Sequence, residues 1–368
     1  MLRQAKRSIA RTVAVDATVV SRRLKGAGRV VKNLLTALPS VDPETRYVAL
    51  AWPEGAGVLR RAGVEDVVEV SERGGTAWEL RGLGRAAERA DAGIVLTLRE
   101  IVGFGGPPTV LHVAEPPAYR LQAGASDRPL KHVVKDRVLQ SMLRGSVRRA
   151  ATVTAASRTT ADWLRERYGV DAPVIPPGID PVFLDQSEVP MADPAYFLHP
   201  ATGDRRDNSD LVLRAFALLL PRGSRLVLIG TPDVERERLV EQARMLDVGD
   251  HVEFVGWVSD ERLRELYRGA IALVHPSRYE GFAGLQPLEA MAQGTPVVAL
   301  DAPGTTEALE GAADLVRGED AEELADAMQR LASDRQYRSR LGSSGRERVR
   351  DLTWHRSADH LAHVFEAI

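Results

Sequence analysis

The 368-residue chain contains no cysteine. That absence removes disulfide-stapled scaffolds, thiol nucleophiles and Cys-ligated zinc sites together, and it fits a reducing compartment. Aromatic residues are scarce, at 5%, and no basic stripe is interleaved with them, so nucleic-acid binding is not expected. Lysine is nearly missing, with five against 44 arginines, a bias we ascribe to coding rather than function. Long apolar runs are lacking as well. The most apolar stretch, residues 211–220, contains Arg214 and is far too short to span a bilayer. The opening MLRQAKRSIARTVAVDATVV starts like an export signal, but Arg11 and Asp16 interrupt the apolar core that a signal needs. No export signal and no transmembrane segment are expected, while peripheral attachment stays open.

The rest of the composition describes a folded protein. Hydrophobic residues make up 44% and charged residues 27%, with glycine and proline scattered, which excludes disorder, collagen and coiled coil. A single core is hard to sustain at this length, so two domains are expected. The net charge of −2 hides an asymmetry: residues 1–180 carry 28 basic and 19 acidic side chains, residues 181–368 carry 21 and 32. A basic half can face an anionic surface, or complement the acidic half.

Short β-type runs alternate with amphipathic helical segments, the pattern of a parallel α/β sheet. Strands are predicted at residues 12–16, 47–51, 93–98, 109–113, 151–155 and 174–175, then at 196–199, 225–229, 252–255, 271–275 and 296–300. Helices are predicted at 29–38, 132–149, 159–168, 209–220, 234–246, 260–267, 287–293 and 321–332, with a last one over 352–368. Five prolines fall between Pro176 and Pro194 and periodicity vanishes there, so the domain connection is placed in that stretch.

The richest chemistry lies in HPSRYEGFAGLQPLEAMAQGTPVVALDAPGTTEAL, residues 275–309. A strand end leads through a loop with Gly281 and Gly284 into a helix, and in open α/β sheets ligands bind beyond the carboxyl ends of the strands. Amides of Phe282, Ala283 and Gly284, backed by a helix N-terminus, suit a phosphate or sugar oxygen. Glu280 and Glu289 form a carboxylate pair suited to hydroxyls. With Gln286 as N-cap and Pro287 first in the helix, Glu289 falls at the third helical position, where a glutamate also stabilises any helix end. His275 reads as a strand-end core residue, and Trp257 as packing rather than a stacking platform.

This segment resembles the retaining, nucleotide-sugar-dependent glycosyltransferases of the GT-B fold, in the large fourth family, whose signature runs P-S-x-x-E-G-F-G-L-P-x-L-E-A-M-A-x-G-x-P-V-V. VDATVVSRRLKGAGRVVKNLLTAL, AATVTAASRTTADWLRERYGV, VIPPGID, HVEFVGWVSDERLRELY and TWHRSADHLAHVF look like further family segments. The resemblance implies an α/β GT-B fold of two Rossmann-like domains facing a cleft. Residues 1–185 would bind the acceptor, 186–352 the donor, and the helix 353–368 would cross back to the N-terminal domain.

By position, the resemblance gives Glu280 the transferred sugar, Glu289 the ribose hydroxyls, and the amides of Phe282, Ala283, Gly284 and Leu285 the sugar and diphosphate oxygens. The Val258 backbone would contact the base, and Gly26, Gly28 and Arg29 would serve donor phosphates and acceptor. Three departures stand out. Eight residues rather than seven separate the two glutamates, with Ala283 the extra one. The family's Arg and Lys clamp is replaced by TGDRRDN, residues 202–208, where Arg205 and Arg206 must supply the charge and Asp207 stands near the lost Lys. The family's I-H-D histidine position is Ala114, followed by Glu115; His112 lies two residues earlier on the same strand face. Arg99 and Glu100, at the end of the strand 93–98, are further acceptor candidates.

No metal site and no cofactor are expected, the nucleotide sugar being a substrate. The cluster His355, His360 and His363 lacks a carboxylate or cysteine partner. The expected acceptor is a glycan, a lipid-linked sugar or a small molecule, and the expected location is the cytoplasm or the inner membrane face. A non-catalytic nucleotide-sugar-binding protein and a nucleotide-sugar epimerase are the alternatives.

Overall fold

The computed structural model describes residues 11–71, 75–122, 130–185, 196–219, 224–281 and 284–368. The chain forms two compact units, Met1–Gly178 with Leu352–Ile368, and Ile179–Asp351. In the first, β1 (Arg11–Asp16), β2 (Thr45–Ala51), β3 (Val67–Glu69), β4 (Ile94–Thr97), β5 (Thr109–Val113) and β6 (Thr152–Ala155) pair in the order β3-β2-β1-β4-β5-β6. In the second, β7 (Tyr196–Pro200), β8 (Arg225–Ile229), β9 (Val252–Val255), β10 (Ala270–His275), β11 (Val297–Leu300) and β12 (Asp314–Val316) pair in the order β12-β11-β10-β7-β8-β9. Every pairing is parallel. The two units therefore repeat one doubly wound topology, and each reverses its strand order once, between β1 and β4 and between β7 and β10.

The central strands are apolar on both faces because helices cover both. Val13, Ala14 and Val15 in β1 and Ala272, Leu273 and Val274 in β10 are completely buried. In the second unit Phe197, Leu226 and Val274 pack with Leu211 and Phe216 of the helix Ser209–Leu219 and with Leu324 and Met328 of the helix Ala321–Ser333.

Three departures from the predicted elements have simple causes. β3 and β12 are three-residue strands at sheet edges, too short to show a period of two, and residues 174–175 make an isolated bridge from Val174 to Ala155 instead of a strand. The helix Arg335–Val349 is absent from the sequence reading because RQYRSRLGSSGRERV is polar and carries two glycines. Those glycines are packing devices: a Cβ at Gly342 would strike the carbonyl oxygen of Gly294, and one at Gly345 would lie 3.0 Å from Met291 Cγ. Much of the expected domain connection, residues 186–195, lies outside the described residues, and the units divide earlier, between Gly178 and Ile179.

The closing helix Trp354–Glu366 is capped by Thr353 and packs in the first unit against the helix Gly26–Val41. Gly178 lets the two chain segments meet, since a Cβ there would collide with the backbone at Trp354. Ser357 Oγ donates to the Pro176 carbonyl at 2.6 Å.

Candidate functional site

The reversal of strand order in the second unit lies between β7 and β10, and the loops leaving these two strands carry the arginine pair and Glu280. Such a point opens a crevice because the helices that follow the two strands run to opposite faces of the sheet. His199, near the end of β7, locks the strands together. It is buried, with Nδ1 2.8 Å from the Val274 carbonyl and Nε2 2.9 Å from Ser209 Oγ. Burial pushes its imidazole down to about 3, so it is neutral; Nδ1–H donates and Nε2 accepts the Ser209 hydroxyl proton.

The arginine pair sits on a short 3₁₀ turn, Arg205–Asp207, started by Asp204, whose carboxylate accepts the Arg206 amide at 3.0 Å. Arg205 is exposed and Arg206 half-buried. The Arg206 guanidinium lies 5.9 Å from the centre of the Tyr279 ring and 3.7 Å from Asp204. Asp207 does not pair with them. Its Oδ2 accepts both the amide and the hydroxyl of Thr202 at 2.7 Å, closing the loop, and burial pushes its carboxyl up to about 6.

A second brace was invisible in the sequence. Arg278 donates from its backbone to the Arg206 carbonyl at 3.1 Å and from its side chain to the Arg205 carbonyl. Its guanidinium also reaches Asn208 Oδ1 at 2.8 Å and Glu319 at 2.6 to 2.7 Å, and Asn208 Nδ2 donates to the same Glu319 carboxylate at 3.2 Å. The hydrogen bond from Arg278 holds the Glu319 carboxyl below its ordinary value. Asn208 itself takes a left-handed conformation, φ 58°. The turn bearing Arg205 and Arg206 is thus held from β10 and from the loop after β12.

Glu280 is 9% exposed and tightly framed. Its amide donates to the Pro303 carbonyl at 3.0 Å, and its Oε1 lies 2.6 Å from His275 Nε2. Burial opposes ionisation of this carboxyl, yet the Arg206 charge and hydrogen bonds from His275 and Ser277 hold it below its ordinary value. His275, read from the sequence as a core residue, is therefore a direct partner of Glu280. Gly304, at φ 81°, is required beside it, because a Cβ there would collide with the Glu280 carbonyl oxygen.

The helix after the loop is Leu285–Ala292, with Gly284 as N-cap at φ 71°. This corrects the expected cap at Gln286, and Glu289 falls in the second turn rather than at the third position. Its explanation as a helix-end glutamate is removed. Glu289 is 3% exposed, and its Oε2 accepts the Tyr267 hydroxyl at 3.1 Å. Gly281 and Gly284 are buried and Leu285 is half-buried at the helix start; Phe282 and Ala283 lie outside the described residues. Val258 is half-buried just before the Ser259-capped helix Asp260–Arg268. Its neighbour Trp257 is 50% exposed, which corrects its reading as a packing residue.

The first unit holds the remaining candidates. Gly26 and Gly28 open the helix Gly26–Val41, which lacks a side-chain cap at Lys25, and Arg29 is buried in its first turn. A Cβ on Gly28 would come within 3.0 Å of the Val19 carbonyl. Arg99 reaches Glu79 at 2.9 Å, Thr18 Oγ1 at 3.3 Å and Asp16 at 3.6 Å. This ties the ends of β1 and β4 together and commits much of its guanidinium inside the protein. Burial raises the Glu79 carboxyl against the opposing pull of Arg99. His112 is buried inside β5, Nδ1 2.9 Å from Thr154 Oγ1 on β6, and burial lowers it to about 4. The structure thus gives it a place in the sheet. Glu100 and Glu115 are half-buried in the loops after β4 and β5. Among the described residues no group of three or more His, Asp or Glu could hold a metal ion, and no helix is long and apolar enough to cross a membrane.

Two doubly wound units with a phosphate-suited switch point define a GT-B fold. The first unit and the connection match the Glycosyltransferase Family 4 model over residues 24–183, and the second matches the Glycosyl transferases group 1 model over residues 184–348. The chain belongs to this family. It is 34% identical over 254 residues to a D-inositol 3-phosphate glycosyltransferase of Nocardiopsis dassonvillei, spanning 62% of this chain and 59% of that protein. A namesake in Nocardia farcinica is 34% identical over 43% of this chain and 37% of its own length. The chain therefore spans less than two thirds of these relatives. Among solved structures, sucrose-phosphate synthase from Thermosynechococcus elongatus superposes with a TM-score of 0.75 at 22% identity, covering 97% of this chain and 98% of that one. Anabaena HepE in complex with UDP-glucose also gives 0.75, at 17% identity, covering 97% and 99%. These likenesses establish the shared fold.

Proposed function

We propose that the chain is a retaining glycosyltransferase that moves a sugar from a nucleoside diphosphate sugar to a hydroxyl acceptor without a metal ion. The observation that carries this reading is the braced turn bearing Arg205 and Arg206 beside a buried, ionised Glu280. That arrangement sets cations where a diphosphate leaves and an anion where positive charge develops on the sugar. In this reading Arg205 and Arg206 stabilise the departing diphosphate, electrostatic catalysis of the oxyanion-hole kind. Glu280 supports the anomeric centre, Glu289 holds the ribose hydroxyls, and the amides of residues 282–285 bind sugar and phosphate oxygens. The Val258 backbone meets the base.

Transfer follows front-face displacement. The bond from the anomeric carbon to the leaving phosphate oxygen breaks as the acceptor oxygen bonds on the same face. The leaving oxygen takes the acceptor proton, so no side-chain base is required. Gly26, Gly28 and Arg29 serve the phosphates and acceptor from the first unit, with the loops carrying Glu100 and Glu115 as further acceptor contacts.

The relatives' names make an inositol phosphate one acceptor to assay, beside lipid-linked and glycan acceptors. The excess of basic residues in the first half suits an acceptor at the cytoplasmic membrane face. Thermal shift with UDP, GDP, ADP, dTDP and their sugar conjugates tests the donor reading. A ligand at a hundredfold excess over its Kd adds about 2.7 kcal/mol to the folded state. One nucleotide series stabilising the protein, followed by acceptor-dependent release of that nucleoside diphosphate, is the expected result. No stabilisation by any series overturns the proposal, release without acceptor points to hydrolysis or epimerisation, and binding without turnover points to a non-catalytic binder.

A further inference from the structure

We propose that His275 is a positioning residue for Glu280, fixing the carboxylate that meets the sugar through a hydrogen bond from its Nε2. The inference rests on the transferase reading given above. Its basis is geometric: two buried side chains five residues apart, joined at 2.6 Å across a tight turn. His275 is the last residue of β10, so its Cα is held by the sheet through its register with Ala299 of β11.

The turn itself is rigid. Ser277 Oγ donates to the Tyr279 carbonyl at 2.9 Å, the Arg278 amide donates to the Arg206 carbonyl, and the Glu280 amide is held by Pro303. The backbone of Glu280 is therefore fixed by one set of contacts, and its carboxylate by His275. A glutamate side chain loses up to about 2 kcal/mol of rotamer freedom when ordered. Here that ordering precedes any ligand, which is how a charged group comes to act in a transition state without reorganising. An ionised carboxylate accepts only, so Nε2 carries the donated proton. The other charged or titratable groups near the pair are Arg206 and the neutral His199.

Three variants separate positioning from simple packing. His275→Gln keeps a donor near the Nε2 position, His275→Asn carries a donor too short to reach, and His275→Leu has none. The first readout is the carboxyl titration of Glu280 by 13C NMR, assigned by its loss in Glu280→Gln. Wild type and His275→Gln are expected to titrate together, and His275→Asn and His275→Leu at least one pH unit higher. In the transfer assay, His275→Leu and His275→Asn are expected to lose tenfold or more in kcat with donor KM within threefold, and His275→Gln to stay within threefold of wild type. Unchanged Glu280 titration in His275→Asn, or equal loss in all three variants, overturns the proposal. The titration needs no turnover, so a wild-type protein without transferase activity refutes the functional reading while the pair is still decided by NMR.

Discussion

Gly304→Ala is the sharpest perturbation of the site, because the contact it breaks is backbone against backbone. Gly304 sits at φ 81° and ψ −32°, outside the left-handed region that side chains other than glycine adopt. Strain of this kind costs about 1–3 kcal/mol. The new Cβ also runs into the Glu280 carbonyl oxygen, which cannot rotate aside, and relieving such overpacking costs about 1–3 kcal/mol more. The total is about 4 kcal/mol. For a unit the size of Ile179–Asp351 each kcal/mol moves Tm by about 2–4 °C, so the expected loss is roughly 8–16 °C. Gly311→Ala is the control: φ is 71° there too, but a Cβ meets nothing within 4 Å, leaving about 1 kcal/mol and a loss of about 2–4 °C. The assay is thermal unfolding with and without the stabilising nucleotide sugar. Gly304→Ala is expected to lose most of the ligand-induced shift because Glu280 must move, and Gly311→Ala to keep it. Equal losses in both variants, or an intact ligand shift in Gly304→Ala, would refute the close approach of Gly304 as a support of the site.

Arg206→Ala is expected to lower kcat by about 10²–10³, the loss typical of removing one stabilising donor, in steady-state transfer assays; unchanged turnover would reject the clamp. Asp207 gives a pH signature. Its folded pKa of about 6 stands above the unfolded value near 3.9, so its protonated form favours folding below pH 4, and that stability is lost as pH rises through 6. About two pH units correspond to roughly 3 kcal/mol, so the Tm of Asp207→Asn relative to wild type is expected to climb between pH 4 and 7, and a constant difference would refute it. Tyr267→Phe removes a hydroxyl that donates to the buried Glu289 carboxylate, a loss of about 2 kcal/mol visible as a fall of about 4–8 °C in Tm; an unchanged melt would show that the bond contributes nothing.

The doubly wound class was readable because its central strands are long enough to show as apolar runs between amphipathic helices. The edge strands β3 and β12 were not, since three residues carry no period, and Val68 and Glu69 face solvent. Glycine obscured the helix Arg335–Val349 for a different reason. Propensity treats Gly342 and Gly345 as helix breakers, whereas their packing against Gly294 and Met291 requires the missing Cβ. At the site, the residue types of Glu280, Arg205 and Arg206 announced their chemistry. The supports did not: Arg278 and Glu319 are 41 residues apart, and the bond from His275 to Glu280 crosses a turn that no periodicity describes.

Asp207 shows how a sequence substitution can be misjudged as a change of charge in a site. Read along the chain, an aspartate near the position of an expected lysine looks like a cation exchanged for an anion beside a diphosphate. In the structure that carboxylate turns inward to the amide and hydroxyl of Thr202 and closes the loop on which Arg205 and Arg206 stand. Restoring a lysine should therefore not restore a clamp. Asp207→Lys would remove both bonds to Thr202 and put an ammonium into a pocket with 8% exposure, a change costing several kcal/mol unless the loop opens. Calorimetric titration with the stabilising nucleotide is expected to show weaker binding than wild type, despite the gain of two positive charges. Tighter binding by Asp207→Lys would mean that the position faces the diphosphate after all.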